Sequence, residues 1–395
     1  MSDRRPERDA VVRGIGASRI GRRLGRSELD LTLEACQAAI ADAGLTRDDI
    51  DGLATFPGGG FDTPGLAGPG ALEVEAALAL ETNWTYGGPE GGQLGGFFSA
   101  CLAVATGLAR HVLVYRTVGE ATAQGSAGRG GTVVSGANAP VSGFRRWLAP
   151  FDAHSPANWI ALYAQRHMYE FGTTREHLGT IAVNNRRNAG RNPAAVYRAP
   201  MTLEDYFGAR MISTPFGMFD CDVPCDGSVA FIVSHVDTAD DGPRPALGIE
   251  SFGWAMRHRP LWDQWPDMTE MAAWDAAAHL WERSELRPAD VDQVQLYDGF
   301  SFLPLVWLEA LGFCDKGQAG PFLDGGRRIA LDGELPLNTG GGQLSAGRLH
   351  GCGLLYEACV QLWELGGDRQ AGAPRTVAVG VGGGPTAGAT VLVRR

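Results

Sequence analysis

The sequence predicts an α/β protein made of two similar halves, and three observations carry that prediction. The 395 residues are 44% apolar and 20% charged, enough to bury a large core and more than one folding unit. The chain opens with a strand, helix, strand order: an apolar run at 10–15, helical spacing of apolar residues over 29–43 stopped by Gly44, and a second strand from 50 to 55. A similar alternation returns after 238–245 (Thr-Ala-Asp-Asp-Gly-Pro-Arg-Pro), a stretch with linker composition.

The remaining elements follow in order. Residues 91–106 read as a helix of small apolar residues, buried between sheets and ending at Gly107, before a strand at 111–115. Segments 156–171 and 174–189 read as helices, and 229–234 reads as a buried strand. The second half shows strands at 246–251, 293–297 and 376–381, with helices near 269–285, 304–311 and 353–365. Glycine-rich 56–70 and 124–142 read as loops, each a candidate lid. This divides the chain into an N-terminal half, 1–240, with a loop or lid insertion around 120–215, and a C-terminal half, 246–395.

Composition excludes several functions. Acidic residues outnumber basic ones 45 to 34, for a net charge of −11, which argues against nucleic acid or anionic membrane as partner. Apolar runs such as 112–114 and 160–164 are far below the roughly 20 residues that span a bilayer. Charged residues follow the first methionine with no apolar run behind them, so a cytoplasmic protein is expected. Seven scattered cysteines read as free thiols, and Cys221 and Cys225 have no second pair to complete a metal site. Lys316 is the only lysine, in what reads as an exposed turn, which argues against Schiff-base and pyridoxal chemistry and leaves no phosphate loop. Gly14-Ile15-Gly16 is not followed by a correctly spaced third glycine for a dinucleotide loop.

Several stretches together resemble the thiolase superfamily, in the branch of sterol-carrier-protein-x thiolases and lipid-transfer-protein-like enzymes. They are Gly14-Ile15-Gly16, Ala39-Ile40-Ala41-Asp42-Ala43-Gly44-Leu45 and Asp49-Ile50-Asp51-Gly52-Leu53 near the start. In the middle stand Arg166-His167-Met168-Tyr169-Glu170-Phe171-Gly172-Thr173-Thr174, Asn184-Asn185-Arg186-Arg187, and Asp220-Cys221 through Asp226-Gly227. Tyr297-Asp298-Gly299-Phe300-Ser301, Asn338-Thr339-Gly340-Gly341-Gly342 and Gly382-Gly383-Gly384 complete the set. The resemblance implies a five-layered αβαβα fold from two duplicated halves, and a homodimer core.

The chain departs from a working thiolase at three positions. The nucleophilic cysteine is expected near Glu90 or Gly91, the histidine of the Gly-His-Pro motif at Arg348, and a second cysteine near Val381, and none is present. A Claisen cycle needs an activated thiolate and a matched base. The pattern is most similar to the acyl-CoA aldolases of steroid side-chain degradation, which use tyrosines. Tyr297 fits one of these, and Arg348 stands where the other is expected. The resemblance then implies retro-aldol cleavage of a bulky β-hydroxyacyl-CoA to a ketone and a shorter acyl-CoA such as propionyl-CoA. It implies no tightly bound cofactor, coenzyme A as part of the substrate, and a small OB-fold, zinc-ribbon partner that helps bind acyl-CoA in a heterotetramer. Alternatives are a non-catalytic subunit supporting an acyl-CoA-handling complex, or an acyltransferase using Cys101 or Cys352.

Retro-aldol chemistry needs a base, an enolate stabiliser and an acid, and no covalent intermediate. Tyr297 is a candidate proton carrier, or a tyrosine packed at a strand end. Arg348 is a candidate holder of the enolate oxygen, or of a coenzyme A phosphate. His350, in a glycine-flanked turn, is a candidate acid or base, or a structural histidine. Asn338, Gly340 and Gly341 are expected to line the substrate site. Asp298 is a candidate there, or a cap for the turn that follows it, and Glu90 is a candidate carboxylate at a helix start. Trp147, Trp159 and Trp254 are candidate walls for a hydrophobic pocket.

Overall fold

The computed structural model describes residues 5–58, 64–88, 92–125, 145–153, 155–257 and 266–395. The first half contains β1 (Ala10–Ala17), α1 (Glu28–Asp42), β2 (Gly52–Thr55), α2 (Ala71–Leu78), β3 (Trp84–Gly87), α3 (Gly95–Ala105), β4 (His111–Gly119) and α4 (Glu120–Gln124). A helical insertion follows, with helices Pro156–Phe171 and Arg175–Ala189 and the hairpin β5 (Met211–Ser213) and β6 (Phe216–Gly217), before β7 (Asp226–His235) returns to the sheet. The second half contains β8 (Leu247–Met256), helix Ala272–Arg283, β9 (Gln293–Leu296), helices Phe302–Ala310 and Cys352–Leu362, β10 (Thr376–Gly382) and β11 (Thr386–Arg394).

Among the described residues, nine strands run β3-β2-β4-β7-β1-β8-β11-β10-β9. The halves meet where β1 pairs antiparallel with β8, Val11 opposite Gly248. Outward from that seam, β1-β7-β4-β2 pair antiparallel, antiparallel and parallel. β8-β11-β10-β9 repeat the same three pairings. The duplication is therefore visible in topology, with β3 as an additional outer strand of the first half.

Two glycines mark equivalent helix-on-sheet contacts. A Cβ at Gly16 of β1 would lie 2.1 Å from Ala35 O of α1, and one at Gly253 of β8 would lie 1.9 Å from Ala276 O. Each outer helix packs against its strand at backbone distance, so neither site admits a side chain. The inner helices α3 and Cys352–Leu362 are buried along almost their whole length, which explains their small, apolar sequences.

The structure differs from the sequence expectations in identifiable places. β4 runs on through Gly119 rather than stopping at Tyr115, because β7 pairs with it as far as Gly119 opposite Asp226. β11, with glycine and alanine at its start, is a strand because β8 and β10 flank it on both sides. The insertion carries the two long helices expected at 156–171 and 174–189, with Ser155 and Thr174 forming capping boxes before them. The candidate lids fall partly outside the described residues, at 59–63 and 126–144.

Candidate active site

The insertion helix Arg175–Ala189 builds the loop that carries the site. Asn184 and Asn188 donate to Leu337 O at 3.2 and 3.1 Å, and Arg186 Nε donates to Ser345 Oγ at 2.9 Å. Asn192 Nδ2 donates to Gly340 O at 2.8 Å. Burying the three asparagines against backbone carbonyls satisfies loop groups that no sheet partner reaches.

The same loop is stitched to the end of β9. Asn338, at φ +50, receives the Leu296 N–H on Oδ1 at 2.7 Å and returns Nδ2 to Leu296 O at 2.9 Å. Asp298 is fully buried and accepts from Gln343 N (2.8 Å), Leu344 N (3.1 Å) and Asn185 Nδ2 (2.7 Å). Burial raises its pKa to about 7, against the pull of the Gln343 and Leu344 amides. Asn338 and Asp298 both hold the loop in place, and Asp298 caps the turn Gly342–Ala346. Gly340 and Gly341 remain loop positions, Gly341 at φ +100 against Ala189.

Between these supports sits Tyr297, one residue past β9 and 8% exposed, its N–H donating to Gly380 O at 2.8 Å. Two buried guanidiniums act on it electrostatically, Arg348 and Arg116. Arg348 already holds carboxylate partners. It is ion-paired with Glu120, with Nε donating to Oε2 at 3.0 Å, and Nε lies 3.6 Å from Asp222 Oδ2. Burial disfavours its charge, but Asp222 and Glu120 outweigh that cost and raise its pKa. The sequence reading did not foresee these partners, because both carboxylates arrive from the first half of the chain.

Arg116 was missed by sequence reasoning. It is completely buried on β4, and its guanidinium donates to Thr117 O (2.6 Å), Leu66 O (2.7 Å) and His350 Nδ1 (3.2 Å). Burial lowers its pKa to about 10, with Arg348 adding to the shift and Cys352 and Tyr297 opposing it. The signal available in the sequence was an arginine directly after the apolar run His111–Tyr115, with Glu120 four residues on. Ligands in such sheets gather at the carboxyl ends of strands, where β4 delivers both residues. His350 takes φ +54, a strained value for a non-glycine residue, and packs its ring 5.7 Å from that of Phe56.

Neither Cys101 nor Cys352 is an activated nucleophile. Cys101 lies fully buried on α3, and burial pushes its pKa well up. Cys352 donates to Gln93 O at 3.6 Å and is raised to about 11 by burial, which Arg116 only partly offsets. Glu90 lies outside the described residues, as does the Trp147 side chain. A cavity of about 240 Å³ opens on the loop, lined by Gly340, Gly342, Gln343, Leu349 and Tyr356, and neither Trp159 nor Trp254 walls it.

A duplicated α/β fold with a buried polar centre at strand ends, and no thiolase cysteine pair at the expected positions, defines a thiolase-like enzyme that works without a thiolate. Comparison with known proteins agrees. Residues 253–395 match the family model described as thiolase C-terminal domain-like. The chain is 37% identical to a steroid side-chain-cleaving aldolase of Thermomonospora curvata over 96% of both chains. It is 34% identical to the 17-hydroxy-3-oxo-4-pregnene-20-carboxyl-CoA lyase of Mycobacterium tuberculosis, over 96% of this chain and 98% of that one. The solved structure of an Ltp2-ChsH2(DUF35) aldolase superposes with a TM-score of 0.86 at 32% identity, covering 98% of each chain. Human mitochondrial 3-ketoacyl-CoA thiolase, with a TM-score of 0.69 at 15% identity, covers 98% of this chain and 99% of its own and shares the fold. The chain belongs to the thiolase superfamily, in its branch of steroid side-chain-cleaving aldolases.

Proposed function

We propose that the chain is a carbon–carbon lyase that cleaves a bulky β-hydroxyacyl-CoA, a steroid side-chain thioester, by retro-aldol reaction. The products are a ketone and a shorter acyl-CoA such as propionyl-CoA. The observation that carries this reading is Tyr297 at the end of β9, under the influence of two buried arginines, in a chain 37% identical to an aldolase over nearly its whole length.

The reaction balances without water or an oxidant. A base takes the β-hydroxyl proton, the oxygen's electrons form the ketone, and the Cα–Cβ bond breaks. The released pair becomes the thioester enolate, which accepts a proton on the α carbon. Tyr297 as phenolate serves as base, since guanidinium charge favours the anion. The β oxygen and the α carbon are bonded to the same carbon, so one phenolic oxygen can take the proton from the first and return it to the second. That closed transfer accounts for a site with Arg348 in place of a second tyrosine. His350 lies beside Arg116 as a hydrogen-bonding group for the thioester oxygen. Coenzyme A enters as part of the substrate.

The partner reading rests on the relative whose solved structure is an Ltp2-ChsH2(DUF35) complex. We infer a similar small OB-fold, zinc-ribbon subunit here, arranged as a heterotetramer on a homodimer core. The outer edge of β3, with no strand beyond it among the described residues, supports the homodimer. No helix among the described residues is long and apolar enough to cross a membrane. Commitment of Arg348 to Glu120 and Asp222 favours a second reading, a supporting subunit without turnover.

Co-expression with a DUF35-type protein, followed by assay of a 17-hydroxy steroid side-chain CoA thioester, separates the two. Release of ketone and acyl-CoA by the wild type and its collapse in Tyr297→Phe is the expected result. An intact complex that releases nothing from such thioesters would place the supporting-subunit reading ahead.

A further inference from the structure

Arg116 is buried without a carboxylate within 4 Å among the described residues, whereas its neighbour Arg348 has two. Its Nε has no hydrogen-bond partner. Holding such a charge in the interior is costly, and the carbonyls of Leu66 and Thr117 meet only part of that cost. Besides these carbonyls it meets His350 Nδ1, 234 residues away in sequence and 3.2 Å away in space. Phe56 lies under both, 5.6 Å from the guanidinium carbon and 5.7 Å from the imidazole.

A guanidinium donates hydrogen bonds and cannot accept them. His350 Nδ1 must therefore be the acceptor, which leaves the imidazole's one proton on Nε2. Imidazolium would set N–H against N–H and one cation against another. The other charged and titratable groups around this pair are Arg348 on the same loop, Tyr297 after β9, Cys352 on the following helix and Glu28 on α1. Two of these act as further constraints: Arg348 adds positive charge, and the Cys352 thiol is not ionised at neutral pH.

We propose that Arg116 is a positioning residue for the lyase reaction: it holds His350 as a neutral imidazole with its proton on Nε2, the form that donates a hydrogen bond to the enolate oxygen. The inference rests on the retro-aldol reading for its purpose, but its structural core does not. The conformation of the loop fits the same role. His350 sits at φ +54, and the next amide, Gly351 N–H, is taken by Gln343 Oε1 at 2.9 Å. The Arg116 N–H at 3.2 Å fixes Nδ1 as an acceptor and with it the ring's protonation pattern. A neutral imidazole donor at an enolate oxygen adds no charge that would trap the ground state, and gains strength as the oxygen becomes negative.

The test is histidine ¹⁵N NMR of the full chain, with the His350 signals assigned by their loss in His350→Gln, across pH 5 to 9. Wild type is expected to show the Nε2–H tautomer and no imidazolium near neutrality. In Arg116→Gln the His350 titration is expected to rise by about one pH unit or more. With the lyase assay in hand, kcat is expected to fall roughly 10²-fold with KM little changed, and Arg116→Lys, which keeps a cation, should recover part of the loss. A proton on Nδ1 in wild type, or a His350 titration unmoved by Arg116→Gln, overturns the proposal. If Arg116→Gln does not fold, the wild-type tautomer and the Arg116→Lys titration still decide. Absence of lyase activity with the expected NMR pattern would count against the reaction and leave the Arg116–His350 relation standing.

Discussion

Arg348 Nε donates to Glu120 Oε2 at 3.0 Å across 228 residues of sequence, and this pair divides the work of the two buried arginines. One arginine is spent on neutralising carboxylates, and the other, Arg116, faces His350. Removing the Arg348 charge would strand Glu120 and Asp222 as buried anions. Arg348→Met is expected to cost about 3–5 kcal/mol. The double change Arg348→Met with Glu120→Gln should cost clearly less than the single one. Urea denaturation of the four species of this cycle measures the coupling, and additive effects would show that the pair is not structural.

Tyr297→Phe keeps the packing of the ring and removes only the hydroxyl. Its turnover should fall by about 10²–10⁴-fold with KM nearly unchanged. A variant retaining most of its kcat would remove Tyr297 from the proton-carrying role.

Cys352 neighbours His350 closely enough to invite a thiol mechanism, but its pKa of about 11 keeps it a thiol at neutral pH. Cys352→Ala should stay within about twofold of wild-type kcat/KM, and the wild-type thiol should alkylate slowly with iodoacetamide at pH 8. Loss of turnover in the alanine variant, without loss of fold, would bring the acyltransferase reading back.

Asp298 carries a pH dependence of stability with a definite sign. Its pKa is raised from 3.8 to about 7 by burial, so the folded state holds its proton more tightly than the unfolded chain. The resulting contribution is complete below the unfolded value and is lost as pH rises through about 7. Urea midpoints at pH 5 and pH 8 should therefore differ less in Asp298→Asn than in wild type. An equal difference in both would show that Asp298 does not titrate in this window.

Much of the architecture was legible in the chain. The helix Pro156–Phe171 and the helix Arg175–Ala189, with its Thr174 cap, show in apolar spacing and capping residues, which are properties of neighbours in sequence. The alternation of strands and helices likewise marked both halves, and Tyr297 could be singled out from its motif. What the motifs did not show was their purpose. Asn184 and Asn185 read as part of a family pattern, yet their work is to hold Leu337 O and Asp298, the latter 113 residues away.

The sequence by itself determined the order of elements, the duplicated plan and the absence of a thiolase cysteine at the expected positions, because these follow from local spacing and residue identity. Only the tertiary structure decided which arginine is paired with carboxylates and which faces His350. β4 extends past Tyr115 because β7 pairs with it, and that pairing carries Arg116 to His350 and Glu120 to Arg348. A buried charge takes its role from the partners that reach it, and here each partner comes from the opposite half of the chain.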